Sequence, residues 1–204
     1  IYRFNLETLY SDYPEFREVI GSNGSDKRFR SNIFDKISVF NKERISCSEI
    51  PVIGVITNKR VWRYIERKYV EEEHQNLKRW KLVLPEAAGV GSFGETLGSG
   101  LILEPNTAFT QTFFSMGNFS DRTMAEALFK YVRTKFARAL LSILKVTQHI
   151  HKDTWAYVPL QDFTSSSDID WSKSIAEIDE QLFDKYGLDE PERNFILTKV
   201  KEMK

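Results

Sequence analysis

The spacing of apolar residues changes period part-way along the chain, and this change limits the fold more than any other feature. Between residues 51 and 115, apolar and β-branched residues alternate or run in short blocks. That pattern predicts strands over 51–57, 60–65, 81–84, 101–103 and 109–115. From Ala125 the step becomes three and four residues, through Leu128, Val132, Phe136, Ala139, Ile143 and Val146, which predicts one long amphipathic helix. Strands followed by helices argue for an α+β fold with a central, mostly antiparallel sheet.

Two further helices are legible from their starts. Ser174 precedes Glu177 by three positions and Asp189 precedes Glu192 by three, the pattern in which a side-chain oxygen and a carboxylate satisfy exposed backbone N–H groups reciprocally. Ile175, Ile178, Leu182 and Tyr186 share one face after the first start, Gly187 stands where that helix should stop, and Ile196, Val200 and Met203 follow the second. The chain is therefore expected to close with a helical hairpin. Residues 155–159 read as extended, 10–20 as a short helix or irregular packing, and 32–40 as a loop. The expected division is a sheet-plus-helix domain over 1–164 with the hairpin, 165–204, packed on it.

Charge is polarised although it sums to zero. Residues 122–152 carry seven Lys or Arg against Glu126, while 153–192 carry eleven acids against Lys173 and Lys185. On the long helix, Lys130, Arg138 and Lys145 are expected to form an exposed basic stripe opposite the apolar face, with Lys135 at the edge of the buried face. A basic surface for an anionic partner and helix faces that neutralise each other fit these numbers equally well.

No apolar run approaches the roughly 20 residues of a membrane helix, and no basic-then-apolar leader opens the chain, so no membrane partner and a cytoplasmic location are expected. A single cysteine, Cys47, excludes an internal disulfide and a cysteine metal cage. The first methionine is Met116, from which a fragment of a longer protein is expected.

Local motifs for catalysis are weak. Gly89-Val90-Gly91-Ser92-Phe93-Gly94 spells a dinucleotide fingerprint, within a stretch (89–100) that holds five of the ten glycines. No helix follows it to receive a pyrophosphate, so a loop is the better reading. His149 and His151 lack companion ligands, and Asp168 and Asp170 lack the rest of a calcium loop. No metal site, no catalytic residue and no cofactor are assigned to this chain. A nuclease built on Asp168, Asp170 and His149 ranks last among the possible functions.

Lys59-Arg60-Val61-Trp62-Arg63-Tyr64 is more informative. It interleaves cations with aromatics on a predicted strand, placing Arg60, Trp62 and Tyr64 on one face and Lys59, Val61 and Arg63 on the other. Such a strand can touch phosphates and offer a stacking surface, and an aromatic inner face with solvated basic neighbours has the same pattern.

This strand, preceded by Pro51-Val52-Ile53-Gly54, is followed by Tyr131-Val132-Arg133-Thr134-Lys135-Phe136, then Tyr157-Val158-Pro159-Leu160-Gln161-Asp162-Phe163, then Asp168-Ile169-Asp170-Trp171. The series resembles, over residues 50–190, the C-terminal part of adenine-specific DNA methyltransferases and methyltransferase–endonuclease fusions of bacterial restriction–modification systems. The resemblance implies a target-recognition domain that binds double-stranded DNA and follows an upstream catalytic domain, which uses S-adenosylmethionine. The Asn/Asp-Pro-Pro-Tyr/Phe motif of that catalytic domain is absent here, so this chain is not expected to be an enzyme by itself.

Side-chain chemistry then nominates residues for DNA contact. Lys59, Arg60, Arg63, Lys135 and Arg138 are the candidates for phosphate, and Trp62, Ser92, Phe93, Asn106, Thr107 and Gln111 for base reading or stacking. The alternative is a protein–protein docking module of a restriction–modification complex, using the acidic hairpin from 174 onward.

Overall fold

A computed structural model describes residues 1–20, 27–74, 76–150 and 152–203. The Gly/Ser patch at 21–26 and His151 lie outside the described residues. The fold is α+β, and the chain divides into two compact units. The first comprises Ile1–Trp80 and Leu103–Asn118, the second Lys81–Ile102 and Phe119–Lys204. The hairpin is thus part of the second unit rather than a separate domain.

In the first unit three short helices, α1 (Leu6–Asp12), α2 (Phe16–Ile20) and α3 (Ile33–Lys36), precede the strands. Two of them answer to 10–20, where a short helix was one of the expectations, and α3 occupies part of the expected loop. The strand β1 (Glu49–Ile56) turns back antiparallel into β2 (Lys59–Glu66), in a register that sets Ile56 opposite Lys59. A two-residue strand, β5 (Ala108–Phe109), runs parallel to β1 on its other side, pairing Val52 with Ala108 and Ile53 with Phe109. The predicted strand over 109–115 is interrupted: β5 ends at Phe109 and β6 (Phe113–Phe119) begins four residues later.

Aromatic rings fill this unit's core. Phe4 and Phe29 lie 4.7 Å apart, Phe29 meets Phe40 edge-on at 5.5 Å, and Tyr2 meets Phe109 edge-on at 4.9 Å. Phe34 packs over β1 at Gly54, where a Cβ would overlap the ring, so glycine is required there for close approach.

In the second unit β3 (Trp80–Pro85) and β4 (Leu101–Leu103) are neighbours, in a sheet distinct from that of β1, β2 and β5. The expected single central sheet is therefore two small ones. The expected long helix is also two: α4 (Arg122–Arg133) and α5 (Lys135–Leu144), broken at Thr134. Thr134, with ψ near 150°, leaves helical geometry. Its hydroxyl donates to the Tyr131 carbonyl (2.7 Å), closing α4, and accepts from Ala137 N–H (3.1 Å), opening α5. The carboxylate of Asp179 accepts from the N–H groups of Lys135 and Phe136 at 2.9 and 2.8 Å. Those are N–H groups that a helix start leaves without a partner inside the helix. Past the break Phe136 and Ala139 stay buried as expected, but Ile143, also assigned to the apolar stripe, is 53% exposed, and Val146, beyond the end of α5, is 74% exposed.

The hairpin forms as its caps predict. Both capping boxes are present, at Ser174 for α6 (Ile175–Lys185) and at Asp189 for α7 (Glu190–Lys199). Gly187, with φ at +65°, ends α6, while Leu188 N–H reaches back to the Phe183 carbonyl and Gly187 N–H to that of Asp184. Ile178, Leu182 and Phe183 are fully buried, each contributing about 1.5–3 kcal/mol. Residues 155–159, expected to be extended, instead carry on from a 3-10 turn spanning Lys152–Trp155 as a further turn, with Val158 N–H donating to the Trp155 carbonyl at 3.0 Å.

Candidate nucleic-acid interface

The basic–aromatic strand is β2, and its side chains alternate as expected. Arg60 sits over the ring of Phe113 (5.5 Å), Arg63 over that of Phe34 (5.8 Å), and Arg44 over that of Tyr64 (6.0 Å). An aromatic face attracts a cation while leaving its other side in water. Lys59, Arg60 and Trp62 are exposed, Trp62 at 41%. Arg63 is half-buried and donates to the Trp62 carbonyl at 2.8 Å.

The surrounding sequence is strongly basic. Residues 27–63 carry nine Lys or Arg against three acids, and one of those acids, Glu49, is buried. Burial pushes the Glu49 carboxyl up, but hydrogen bonds from Asn41 and from the N–H groups of Ile45 and Ser46 outweigh it and hold the group below its usual range. Its negative charge is spent inside the unit.

The basic helix is different. Arg138 is 2% exposed. It donates to the carbonyls of Arg133 (3.1 Å), Gly94 (3.4 Å), Glu95 (3.4 Å) and Lys201 (2.7 Å). Lys145, also 2% exposed, pairs with Glu95 and donates to the carbonyls of Ala88 and Thr147. Lys130 donates to three carbonyls, of Trp171, Ser172 and Lys173. Lys135 is tied to the Leu197 carbonyl and to Glu202. The expected exposed stripe of Lys130, Arg138 and Lys145 is thus structural, and the phosphate roles given to Lys135 and Arg138 are corrected to scaffold roles. Lys135 does lie at the edge of the buried face, its side chain 13% exposed.

The base-reading candidates scatter. Thr107 is 2% exposed, which withdraws it from any groove, and its carbonyl accepts from Tyr2 Oη at 3.4 Å. Asn106 is exposed with φ at +62°, and its Oδ1 accepts from Arg67 at 3.1 Å. Because β5 runs parallel to β1, exposed Gln111 lies toward the end of the sheet where β1 turns into β2, and Asn106 toward the other. Ser92 and Phe93 are exposed on the glycine loop of the second unit, with Phe93 5.5 Å from Phe195. Lys59, Arg60, Trp62, Arg63 and Gln111 therefore share one unit with Asn106, whereas Ser92, Phe93, Lys135 and Arg138 belong to the other.

The glycine loop carries its own anion. The Val90 and Gly91 N–H groups donate to the Glu95 carboxylate at 2.8 and 3.0 Å. Burial pushes this carboxyl up, but Lys145 and the two N–H groups outweigh it and hold the group below its usual range. The backbone donors that a phosphate would use are occupied by the protein itself.

The remaining motifs also resolve into packing. Tyr131, Phe163 and Trp171 meet as a ring cluster with centroids 5.2–6.0 Å apart. Gln161 donates to Tyr186 Oη at 2.8 Å and Tyr131 Oη to the Pro159 carbonyl at 2.6 Å. Asp168 accepts from Lys185 (2.8 Å) and Asp170 from Ser172 N–H (3.0 Å). Among the described residues no group of three His, Cys, Asp or Glu is placed to hold a metal ion, and Cys47 is an exposed free thiol. No helix among the described residues is long and apolar enough to cross a membrane.

Sequence alone could have separated the two basic regions only in part. Asp179, the missed residue with the largest structural role, is one acid among many in its segment, and nothing in its neighbourhood announces that it caps a helix beginning 44 residues earlier. Compared with models of known protein families, with curated proteins and with solved structures, the chain matches none.

Proposed function

We propose that this chain is a DNA target-recognition module of a restriction–modification adenine methyltransferase, and that β2 is its phosphate-contacting strand. One observation carries the reading: Lys59, Arg60 and Trp62 are exposed together on a single strand, within a segment of nine cations and three acids. Lysine and arginine on such a strand position a duplex, and an exposed indole adds a stacking surface. The ordered motifs that resemble those of methyltransferase recognition domains support the same reading. Methyl transfer and S-adenosylmethionine belong, on this proposal, to an upstream catalytic domain, and this chain has no catalysis of its own.

The test is a salt titration of binding to a randomised duplex pool, with sequencing of what is retained at about 150 mM salt. Binding that weakens steeply with salt, and an enriched short motif, are expected. No retention even at about 50 mM salt would sink the proposal.

A docking role is favoured by a different observation, an apolar groove of about 620 Å³ between α5 and α7 lined by Phe93, Leu140, Ile143 and Phe195. Exposed Glu190 and Glu192 open α7 beside it, which suits a partner helix whose apolar face is bordered by Lys or Arg. Phe195→Asp should then abolish association with the separately produced methyltransferase domain and leave DNA affinity unchanged. Equal association of both forms would remove the docking reading.

A further inference from the structure

The connection between β1 and β2 is a two-residue turn. Ile56 faces Lys59 in the ladder, so Thr57 and Asn58 alone reverse the chain. Both have positive φ, 48° and 60°, as a tight hairpin turn matching strand twist requires. Asparagine tolerates this conformation, whereas a β-branched threonine does so rarely. Asparagine followed by glycine would relieve the strain. The tip instead presents four consecutive exposed residues, Thr57, Asn58, Lys59 and Arg60. Thr57 and Asn58 make no side-chain hydrogen bond to the described residues, so the fold draws no hydrogen bond from them in exchange for the strain.

The chemistry of those side chains matches base edges. An Asn amide can pair with the N6 and N7 of adenine, an Arg guanidinium with the O6 and N7 of guanine, and a Thr methyl can meet the methyl of thymine. The major groove, about 12 Å wide, admits a two-stranded ribbon and presents a distinct donor and acceptor pattern for each base pair, which the minor groove of about 6 Å does not. Behind the tip, Lys59 and Arg63 lie on the face opposite Arg60 and Trp62. That places cations where the groove walls, which are phosphate, would flank an inserted ribbon.

We propose that the β1–β2 hairpin enters the major groove of duplex DNA tip first, with Asn58 and Arg60 reading base edges and Lys59 and Arg63 on the flanking phosphates. This rests on the DNA-binding reading above and adds to it the groove and the reading residues, moving Arg60 from phosphate to base contact. Asn58 and Thr57 are new to the site. The N7 acceptors that Asn58 and Arg60 would use are carried only by the major groove, so the proposal also specifies what chemical change in the DNA should matter.

The experiment repeats the pool selection with the full chain, Asn58→Gly and Arg60→Ala, and titrates the enriched duplex carrying 7-deazapurines, which lack the N7 acceptor. Asn58→Gly suits the turn's positive φ and removes only the amide, and its thermal midpoint should match that of the parent chain. Each variant is expected to lose about 5- to 100-fold in affinity for the enriched duplex and to relax one base position, with affinity for unenriched duplex within about twofold for Asn58→Gly. The 7-deaza duplex should bind the parent chain as weakly as the variants bind the natural one. If both variants enrich the parent's motif with undiminished preference, or 7-deazapurines change nothing, the hairpin is not the reader and the DNA-binding proposal stands without it. Retention of duplex without any enriched motif would also overturn base reading by the hairpin, and absence of retention would overturn both.

Discussion

Two stretches of this chain are rich in lysine and arginine, and they do opposite things with them. Residues 122–152 hold seven cations, yet four of these, Lys130, Lys135, Arg138 and Lys145, donate to backbone carbonyls, and Arg138 and Lys145 are almost fully buried. On β2 the charged groups lie across rings and remain at the surface. A count of charges measures neither. What separates the two regions is the partner each cation finds: carbonyls freed where a helix or loop ends draw a guanidinium or ammonium inward, while on β2 aromatic rings carry Arg60 and Arg63, with the Trp62 carbonyl as a further acceptor for Arg63.

The sharpest way to break this comparison is to remove a cation from each region. Arg138→Ala strips donors from four carbonyls and should cost about 4–5 kcal/mol in urea unfolding. A cost under about 1 kcal/mol would show that the helix cations are dispensable after all. Lys145→Met leaves Glu95 buried without its cation, for an expected loss of about 3–4 kcal/mol, whereas the double change with Glu95→Leu should recover much of it. If the double variant is no better than the single, the pair is not a unit.

Asp179 supplies a pH-dependent test of the same scaffold. Its burial, opposed by the hydrogen bonds from Phe136 and Lys135 and by the charges of Arg138 and Lys135, raises its carboxyl from 3.8 to about 6. The folded state therefore binds more protons than the unfolded chain between about pH 4 and 6, so stability falls as pH rises through that window, by about 2–3 kcal/mol. Asp179→Asn should flatten this part of the stability curve, and an unchanged slope would assign it to another group. The smallest structural effect belongs to β2. Lys59→Ala should change stability by less than about 0.5 kcal/mol while lowering the salt slope of DNA binding by about one. The reverse outcome, stability lost and slope kept, would make β2 the scaffold and erase the contrast.

Much of the fold was legible because its signals are local. The capping boxes at Ser174 and Asp189 act within three residues, and β1, β2, β3 and β4 follow from side chains that alternate along a few positions. The exposed cations of β2 were legible for the same reason. What escaped depends on distant residues. The break at Thr134 is completed by Asp179, the burial of Arg138 needs carbonyls at positions 94, 95 and 201, and the withdrawal of Thr107 follows from its place in a unit whose other residues come largely from the first 80. An unbroken apolar period through 134 carries no trace of these, because the helix it describes is the one the segment favours by itself.

The joint at Thr134 also has a place in time. Residues 122–146 leave the ribosome before Asp179 does, and until then the Lys135 and Phe136 N–H groups lack the carboxylate that accepts from them in the folded chain. Until Asp179 arrives, the break has only the Thr134 hydroxyl, which reaches Tyr131 and Ala137 within its own neighbourhood. A chain that stops short of residue 179 keeps this local cap and loses the acceptor for two backbone donors.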